Sequence, residues 1–374
     1  MTFQSIKNKM EKYQKANPKD FDPMQLNLPP VIFGTSGLGN LFTAIAEEEK
    51  LNIVSECVRL SKDKVVFDSA GKYGAGLALE TLGKCLKELN VPPENVVISN
   101  KLGWLRTDLK TKEPTFEPGV WKNLKYDAVQ NISYDGIIDC FEQGNELLGG
   151  YIPQMVSVHD PDEYINNAKD HHHAEKLYND ILEAYDALHD LKAQGEVQFI
   201  GVGAKDWKII RRIAKDIQLD WIMIANSMTI KSHPKELLDF IAEMEAKGVY
   251  VINSAVFHSG FLVGSNYFDY RPIEKGTSQN DALYQWRDHF FEKCNKFNVM
   301  PSEACVQFSL NVPGVKSIAL NTTNSARVQS NLGMINTNIP LEFWQELKIN
   351  DLIELDFASW LSTENRPKKL TEWR

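Results

Sequence analysis

Short runs of β-branched and aliphatic residues alternate along this chain with longer segments of helical periodicity. Most of the runs are apolar throughout, which is typical of strands that are covered on both faces. Eight runs fit this description: Val31–Thr35, Lys64–Asp68, Asn95–Lys101, Met155–His159, Phe199–Gly203, Trp221–Ala225, Val249–Asn253 and Lys316–Leu320. Because strands separated by helices need parallel crossovers, the pattern predicts an α/β protein with a parallel sheet.

The segments with helical periodicity lie at 43–62, 76–90, 127–148, 174–193, 206–217, 234–247, 280–297, 302–311, 324–332 and 341–354. Eight strand–helix units predict a single-domain (β/α)8 TIM barrel, with an open doubly wound sheet as the alternative. The predicted barrel spans 30–354, between a polar N-terminal extension (1–29) and a C-terminal tail (355–374). Residues 102–126 are predicted to form a loop over the barrel mouth, and 257–278 an insertion after strand seven.

Composition narrows the classes of function. The chain has 374 residues and a net charge of −9, which argues against nucleic-acid binding. No apolar run approaches the length of about 18 residues that spans a membrane, and the charged N-terminus does not resemble a secretory signal. Five widely spaced cysteines without a CxxC motif predict a reducing, cytoplasmic location and neither disulfides nor a zinc site. The pattern predicts no particular oligomeric state.

Three titratable side chains end three consecutive predicted strands: Asp68, Lys101 and His159. Tyr73 follows Asp68 in a glycine-rich loop. Because barrel chemistry sits at the carboxyl ends of the strands, we expect all four to converge. A tyrosine has an ordinary pKa of about 10, and a nearby ammonium lowers it. The set therefore predicts Tyr73 as the proton donor in carbonyl reduction, Lys101 and Asp68 as its supporting ion pair, and His159 as the group that polarises the carbonyl.

Each of these residues also has a structural explanation when it is taken alone. Asp68 can cap a helix, Lys101 can be a surface charge, Tyr73 can pack in its loop, and a histidine before Asp-Pro can form a turn. Their joint placement on adjacent strand ends favours catalysis. The run 171–173, His-His-His, lies among charged residues at a helix start, which favours a solvated turn over a metal site.

The sequence around these residues resembles the aldo-keto reductases. The likeness rests on the segments Phe67–Gly74, Ser99–Gly103 and Val158–Pro161. They carry the tetrad, which is Asp68, Tyr73, Lys101 and His159, in the order and spacing of that family. The resemblance implies a nicotinamide cofactor, NAD or NADP, that lies extended across the mouth of the barrel without a Rossmann domain. This agrees with the absence of a strand–GxGxxG–helix unit.

The resemblance also places cofactor contacts on named positions: Gly34, Thr35, Ser36, Asn226, Asn253, Ser254, Gly260, Asn321, Arg327 and Asn331. Gly260 can equally be a turn glycine, and residues 321–331 a capped helix with solvated polar groups. Two departures matter. Asn321 replaces a lysine that commonly meets a 2′-phosphate, which favours NAD or dual use. Gly203-Ala204 replaces a Ser-Asn pair that holds the carboxamide in the family. Asn226 either takes part of that role or only satisfies local backbone groups.

Within that family the chain looks most like the sugar and pyridoxal dehydrogenases, which implies a small-molecule sugar or aldehyde substrate, such as an L-fucose-like aldose. Trp104 and His258 are candidate substrate contacts, and core or loop packing is the alternative for both. Two rival functions stay open at this point. One is a cofactor-binding regulatory subunit without turnover, and the other is a metal-dependent barrel hydrolase, although strand one lacks the histidines that such a metal site uses.

Overall fold

Eight parallel strands close into a barrel in the computed structural model, which describes residues 26–355 and 357. The barrel strands are β1 (Val31–Gly34), β2 (Val65–Ala70), β3 (Val96–Leu102), β6 (Met155–His159), β7 (Phe199–Ala204), β8 (Trp221–Ala225), β9 (Tyr250–Ser254) and β12 (Val315–Leu320). Around the barrel the order is β1-β12-β9-β8-β7-β6-β3-β2, and each strand is parallel to both of its neighbours. The predicted (β/α)8 barrel is confirmed.

Helices surround these strands and lie close to the predicted segments. They are α1 (Glu47–Leu60), α2 (Leu77–Glu88), α3 (Tyr134–Leu147), α4 (Pro161–Asn166), α5 (His171–Ala193), α6 (Trp207–Asp216), α7 (Lys235–Ala246), α8 (Ser278–Phe297), α9 (Pro301–Asn311), α10 (Val328–Gly333) and α11 (Leu341–Ile349). The run of three histidines forms the first turn of α5, where Asp170 caps the helix by accepting from His173 N at 2.8 Å.

The strands are apolar because each has a face inside the barrel and a face under the helices. The inner face contributes a cluster that includes Ile32, Val66, Val97, Met155 and Ile252. Large residues fill the interior, and Trp221 lies so close to Gly201 that a Cβ at that glycine would approach the indole within 2.2 Å. The barrel is therefore a packed core, and space for ligands remains only at its ends.

The prediction for residues 102–148 is wrong in one respect. The structure contains an antiparallel hairpin of β4 (Trp104–Asp108) and β5 (Tyr126–Gln130), where a loop and the first turn of a helix were expected. Helix α3 begins only at Tyr134, after Ser133 caps it by accepting from Gly136 N. The pairing joins strands that are 17 residues apart, which local periodicity does not reveal. The connection between the two strands still reaches the mouth, as predicted.

The ends of the described chain pack against the barrel. Leu26 and Leu28 are buried in the inner cluster, although they fall in the segment expected to be a polar extension. Phe357, in the expected tail, stacks on Phe308 with ring centroids 4.8 Å apart. The insertion after β9 holds a short 3₁₀ turn, Phe261–Val263, and a small hairpin of β10 (Tyr267–Phe268) and β11 (Arg271–Pro272). Residues 1–25 of the predicted extension and residues 356 and 358–374 of the predicted tail lie outside the described residues.

Candidate active site

A cavity opens at the carboxyl ends of the barrel strands, and three members of the predicted tetrad line it. Its open space is about 600 Å³. The residues that sequence analysis placed at this mouth and that line the cavity are Ser36, Tyr73, Lys101, His159, Gly203, Ala204 and Ser254. The connection between β4 and β5 contributes Glu117 and Trp121 to the same lining.

Asp68 and Lys101 form a buried ion pair at the ends of neighbouring strands. Lys101 Nζ lies 2.7 Å from Asp68 Oδ1 and 2.6 Å from Oδ2, and both residues are 3% exposed. The ammonium also donates to Ser69 O at 3.1 Å, and Ser99 Oγ donates to Asp68 Oδ1 at 3.2 Å. The parallel register of β2 and β3 brings the two side chains together. Gly203 leaves room for the lysine stem, because a Cβ there would come within 3.3 Å of Lys101 Cδ.

Tyr73 lies between the lysine and the histidine. The Lys101 ammonium is 4.8 Å from the centroid of the Tyr73 ring, and the His159 ring meets it edge-on at 5.6 Å. Gly39 packs against the tyrosine backbone so closely that a Cβ there would be 2.8 Å from Tyr73 C. This contact fixes the loop that carries the tyrosine. The structure thus brings all four predicted residues together at one mouth.

The protonation state of Tyr73 differs from the expectation. Burial raises its pKa well above the ordinary value, and the negative charge of Asp68 raises it further. The bidentate contact with Asp68 offsets much of the Lys101 ammonium charge at the ring, so stabilisation of the phenolate by Lys101 does not outweigh these two effects. The resting tyrosine is therefore a neutral phenol that holds a proton for donation, and a phenolate forms only when a partner removes that proton.

His159 is a neutral imidazole in this cavity. Burial lowers its pKa to about 3, against the opposing effect of Asp160. Its Nε2 lies 3.5 Å from Asp160 Oδ2, and Nδ1 has no hydrogen-bond partner within the described part of the chain. A neutral ring that lines the cavity can donate an N–H to a substrate oxygen without adding a charge.

The cofactor positions after β1 have different roles. Ser36 lines the cavity, whereas Thr35 is buried and donates to Asp68 O at 3.0 Å and to Ser69 Oγ at 2.9 Å. Gly34 lies against Asn321, whose Cβ would be 3.3 Å from a Cβ at the glycine. Thr35 therefore braces the strand that carries Asp68, and only Ser36 faces the open space.

The positions after β8 and β9 form a polar group beside the cavity. Ser254 lines it and donates to Ile224 O at 3.3 Å, while Asn253 Nδ2 donates to Met228 O at 2.6 Å. Asn226 is buried, and neither atom of its amide has a hydrogen-bond partner among residues 26–355 and 357. An unpartnered buried amide is uncommon and calls for an explanation.

The remaining cofactor positions lie on the loops after β9 and β12. Gly260 has a φ of +89° and leads into the 3₁₀ turn, which favours glycine. Arg327 is exposed, Asn331 is half-buried, and Asn321 Oδ1 accepts from Gly37 N at 3.2 Å. Arg327 forms no ion pair with the residues that the structure describes, so its guanidinium is available to an anion.

A carboxylate lies at the start of the short 3₁₀ turn that contains Arg327, Ser325–Arg327. Glu49, from α1, accepts from Ser325 N at 2.6 Å and from Ser325 Oγ at 3.2 Å. The cofactor contacts that the resemblance implies, Asn321, Arg327 and Asn331, lie on either side of these donors in the sequence. Glu49 therefore contacts a residue two positions before Arg327. A phosphate bound there would face both the Glu49 carboxylate and the Arg327 guanidinium.

The two predicted substrate residues do not line the cavity. Trp104 lies behind it, with its ring 5.8 Å from Phe116 and 5.1 Å from the Lys72 ammonium. His258 is buried between Thr229 Oγ1, 2.8 Å from its Nε2, and Asp269 Oδ1, 2.6 Å from its Nδ1. These contacts fix the loop after β9, and packing accounts for both residues here.

Five further charged or aromatic residues line the cavity and were not predicted as site residues: Lys72, Glu117, Trp121, Asp160 and Lys205. Two of them had a signal in the sequence, because Lys72 precedes Tyr73 and Asp160 follows His159. The other three lie on loops that have no fixed spacing from the tetrad. Their position at the mouth depends on how long connections fold back over the barrel.

Comparison with known proteins identifies the family of the chain. The sequence profile of the Aldo/keto reductase family matches residues 30–351. The pyridoxal 4-dehydrogenase of Microbacterium luteolum is 27% identical over 337 residues, which cover 86% of this chain and 93% of that protein. The D-threo-aldose 1-dehydrogenase of a Pseudomonas species is 25% identical over 330 residues, with coverage of 86% and 94%.

A solved structure shows the same fold. The holo form of an aldo-keto reductase from Bacillus halodurans has a TM-score of 0.62 at 18% identity, covering 88% of this chain and 95% of that one. The chain belongs to the aldo/keto reductase family. It is an NAD(P)-dependent oxidoreductase.

Two features are absent from the part of the chain that the structure describes. None of its helices combines the length and the apolar character that a membrane span requires. This part also contains no cluster of three or more His, Cys, Asp or Glu side chains arranged to hold a metal ion.

Proposed function

We propose that this enzyme oxidises an aldose, of the L-fucose type, at C1, and that in the reverse direction it reduces an aldehyde. The observation that carries the proposal is the placement of Tyr73 between the Asp68–Lys101 ion pair and a neutral His159 at the wall of one cavity. The names of the two relatives, one a sugar dehydrogenase and one a pyridoxal dehydrogenase, support a small carbonyl substrate.

Each residue has one task in this proposal. In reduction, Tyr73 donates its phenolic proton to the carbonyl oxygen, and His159 donates a hydrogen bond to the same oxygen. Lys101 stabilises the phenolate that results, and Asp68 holds the ammonium in place. In oxidation, the phenolate accepts the proton of the C1 hydroxyl. A bound nicotinamide supplies or accepts the hydride.

The residues present fit a nicotinamide cofactor. The buried Asn226 amide has an unused donor and an unused acceptor, which is the complement of a carboxamide. Ser254 lines the cavity beside it. We propose that these two side chains hold the carboxamide, in the role that Gly203-Ala204 cannot fill because it lacks side-chain donors. Ser36 and Asn253 complete the proposed contacts near this end, and Gly260 is proposed to permit close approach of the backbone to the pyrophosphate.

We propose that NAD is preferred over NADP. Arg327 and Asn331 fit the adenosine end of either cofactor. Asn321 supplies no charge for a 2′-phosphate, and Glu49 already accepts from the Ser325 donors, so a second negative group there would meet electrostatic repulsion. The five cysteines are free and buried, which supports the proposed reducing, cytoplasmic location.

Replacing Tyr73 by Phe tests the proton-donor role. We expect kcat for an aldose to fall at least a thousandfold, because the phenolic proton is lost while the ring is retained. Calorimetric titration with NAD⁺ and NADP⁺ in turn serves as the control, since binding of the cofactor does not need the hydroxyl. Turnover equal to that of the wild type would contradict the assigned role. NADP⁺ binding as tightly as NAD⁺ would contradict the preference.

A further inference from the structure

A second group of charged side chains shares the catalytic cavity. Lys72, Glu117, Asp160 and Lys205 line it together with three members of the tetrad, and none of these four belongs to the tetrad. They come from four loops, the connections that follow β2, β4, β6 and β7. Glu163, on α4, contacts both lysines but does not line the cavity. We call these five residues the loop network.

Lys72 is the centre of the loop network. Its ammonium lies 3.0 Å from Asp160 Oδ2, 2.9 Å from Glu117 Oε1 and 2.6 Å from Glu163 Oε2, and the residue is 3% exposed. Asp160 and Glu163 accept hydrogen bonds from the ammonium, and Glu117 pairs with it as a third carboxylate. Lys72 is therefore occupied by the protein and holds two cavity-lining carboxylates, those of Asp160 and Glu117, in fixed positions.

Asp160 keeps one oxygen for a ligand. Its contacts with Lys72 and with the His159 ring both fall on Oδ2, and no described residue donates a hydrogen bond to Oδ1. The residue has a φ of +48°, a left-handed conformation that aspartate and asparagine tolerate better than most. This conformation holds the carboxylate beside the histidine that faces the carbonyl oxygen.

The charge balance of the loop network indicates the kind of ligand. Two lysines and three carboxylates give a net charge of −1, so the network does not attract an anionic substrate in spite of its lysines. Carboxylates that line a cavity are strong acceptors for neutral hydroxyl groups. The rings of Trp121 and Tyr270 line the same cavity and offer apolar faces for the carbon skeleton of a sugar.

We propose that Asp160 and Glu117, held in place by Lys72, bind the hydroxyl groups of a neutral polyhydroxylated substrate and so determine substrate specificity. The proposal rests on the proposed function, because it assigns the carbonyl end of that substrate to Tyr73 and His159. Because Asp160 lies within 3.5 Å of the His159 Nε2, it is positioned for the hydroxyl on the carbon next to the carbonyl. Glu117, across Lys72, is positioned for a hydroxyl further along the chain.

A matched pair of aldehydes isolates this contact. Glyceraldehyde and propionaldehyde have the same three-carbon skeleton, and only glyceraldehyde carries hydroxyls beside the carbonyl. The measured quantity is kcat/KM for glyceraldehyde divided by kcat/KM for propionaldehyde, both in NADH-dependent reduction. This ratio cancels any general effect on Tyr73, His159 or the cofactor. For Asp160→Asn we expect this ratio to fall about fivefold to tenfold, because a charged acceptor becomes a neutral amide. Glu117→Gln serves as a second variant, with a smaller fall.

Glu163→Gln is the matched control. It removes one carboxylate from the same lysine and changes the net charge by the same amount, but its side chain does not line the cavity. We expect its ratio to stay within about twofold of the wild type. An equal fall in Glu163→Gln and Asp160→Asn would show that only the charge or the fold of the network matters, and would overturn the proposal.

A binding measurement separates failure of this proposal from failure of the proposed function. If the wild type reduces neither aldehyde with NADH or NADPH, the proposed function fails. Calorimetric titration with an unreactive alditol then still tests the network. Weaker alditol binding in Asp160→Asn than in Glu163→Gln supports the proposal, and equal binding in the wild type and both variants overturns it.

Discussion

Two lysines at the same barrel mouth are held in different ways. Lys101 ends a strand and pairs with one carboxylate, Asp68, on the neighbouring strand. Lys72 lies on a loop and meets three carboxylates from two other segments, the connections that follow β4 and β6. The strand pair is fixed by the register of the barrel, whereas the loop network exists only when four connections fold together. The comparison indicates that the barrel sets the reaction and that the loops set the substrate.

The two regions also differ in how they shift protonation. At the strand ends, burial moves the pKa of Tyr73 far upward and that of His159 down to about 3, so neither group titrates near neutral pH. Beside the loop network, burial and the charge of Asp160 raise the pKa of Asp162 to about 6. The loop region therefore contains a group that changes charge just below neutral pH.

The same substitution at both lysines gives the largest contrast. In Lys101→Met, kcat falls about 10²- to 10³-fold, because no ammonium stabilises the phenolate of Tyr73. In Lys72→Met, we expect a smaller loss of kcat, a larger rise in KM for hydroxylated substrates, and a lower thermal midpoint, because three carboxylates lose their shared cation. Steady-state kinetics and thermal unfolding of both variants measure the difference.

Circular dichroism and NAD⁺ binding serve as controls for folding in both lysine variants. If the two variants lost kcat by the same factor at unchanged KM, the division between a strand-borne reaction and a loop-borne specificity would be wrong. Rescue of Lys101→Met by an added alkylamine would strengthen it, since an external ammonium could then replace the missing charge.

The pH dependence of the two directions gives the next largest effect. Reduction needs the protonated phenol, and a pKa well above the ordinary value keeps Tyr73 protonated, so kcat/KM for an aldehyde stays nearly constant between about pH 6 and 9. Oxidation needs the phenolate, so its rate rises with pH, by up to about tenfold per unit. A neutral His159 adds no step near pH 6 to 7. An oxidation rate that is flat with pH would contradict the assigned base.

The strand-borne part of the site could be predicted from the sequence. Asp68, Lys101 and His159 each follow a short apolar run, and parallel strands bring their carboxyl ends to one rim. Tyr73 was found because it lies five residues after Asp68, in a loop with three glycines. The barrel itself followed from eight apolar runs with helices between them.

The loop-borne part could not be predicted in the same way. Glu117 lies between two paired strands that 17 residues separate, and local periodicity does not reveal this pairing. The pKa of Tyr73 was expected to fall, because the sequence shows the lysine and does not show how completely the aspartate neutralises it or how deeply the ring is buried. The position of Glu117 and the pKa of Tyr73 both depend on distances that only tertiary packing sets.

The smallest predicted effect concerns Asp162. Its Oδ2 accepts from the backbone N–H of Lys205 at 3.2 Å and of Asp206 at 2.9 Å, while Oδ1 is buried without a partner among the described residues. Because its pKa is raised above the unfolded value, the folded state favours the protonated form. Stability from this group is therefore complete below about pH 4 and is lost as pH rises through about 6. Asp162→Asn removes that loss.

We expect Asp162→Asn to raise the free energy of unfolding above pH 7 by up to about 3 kcal/mol and to change it little near pH 4. Asp127→Asn is the matched control of opposite sign. Burial opposes the shift there, but hydrogen bonds from Thr115 and Ala128 lower the pKa of Asp127. That variant should therefore be less stable near pH 7 and approach the wild type only at acid pH. Urea unfolding at both pH values measures the four differences. If Asp162→Asn lowered stability at pH 7, its carboxylate would have to be part of the loop network, which would then extend beyond its five residues.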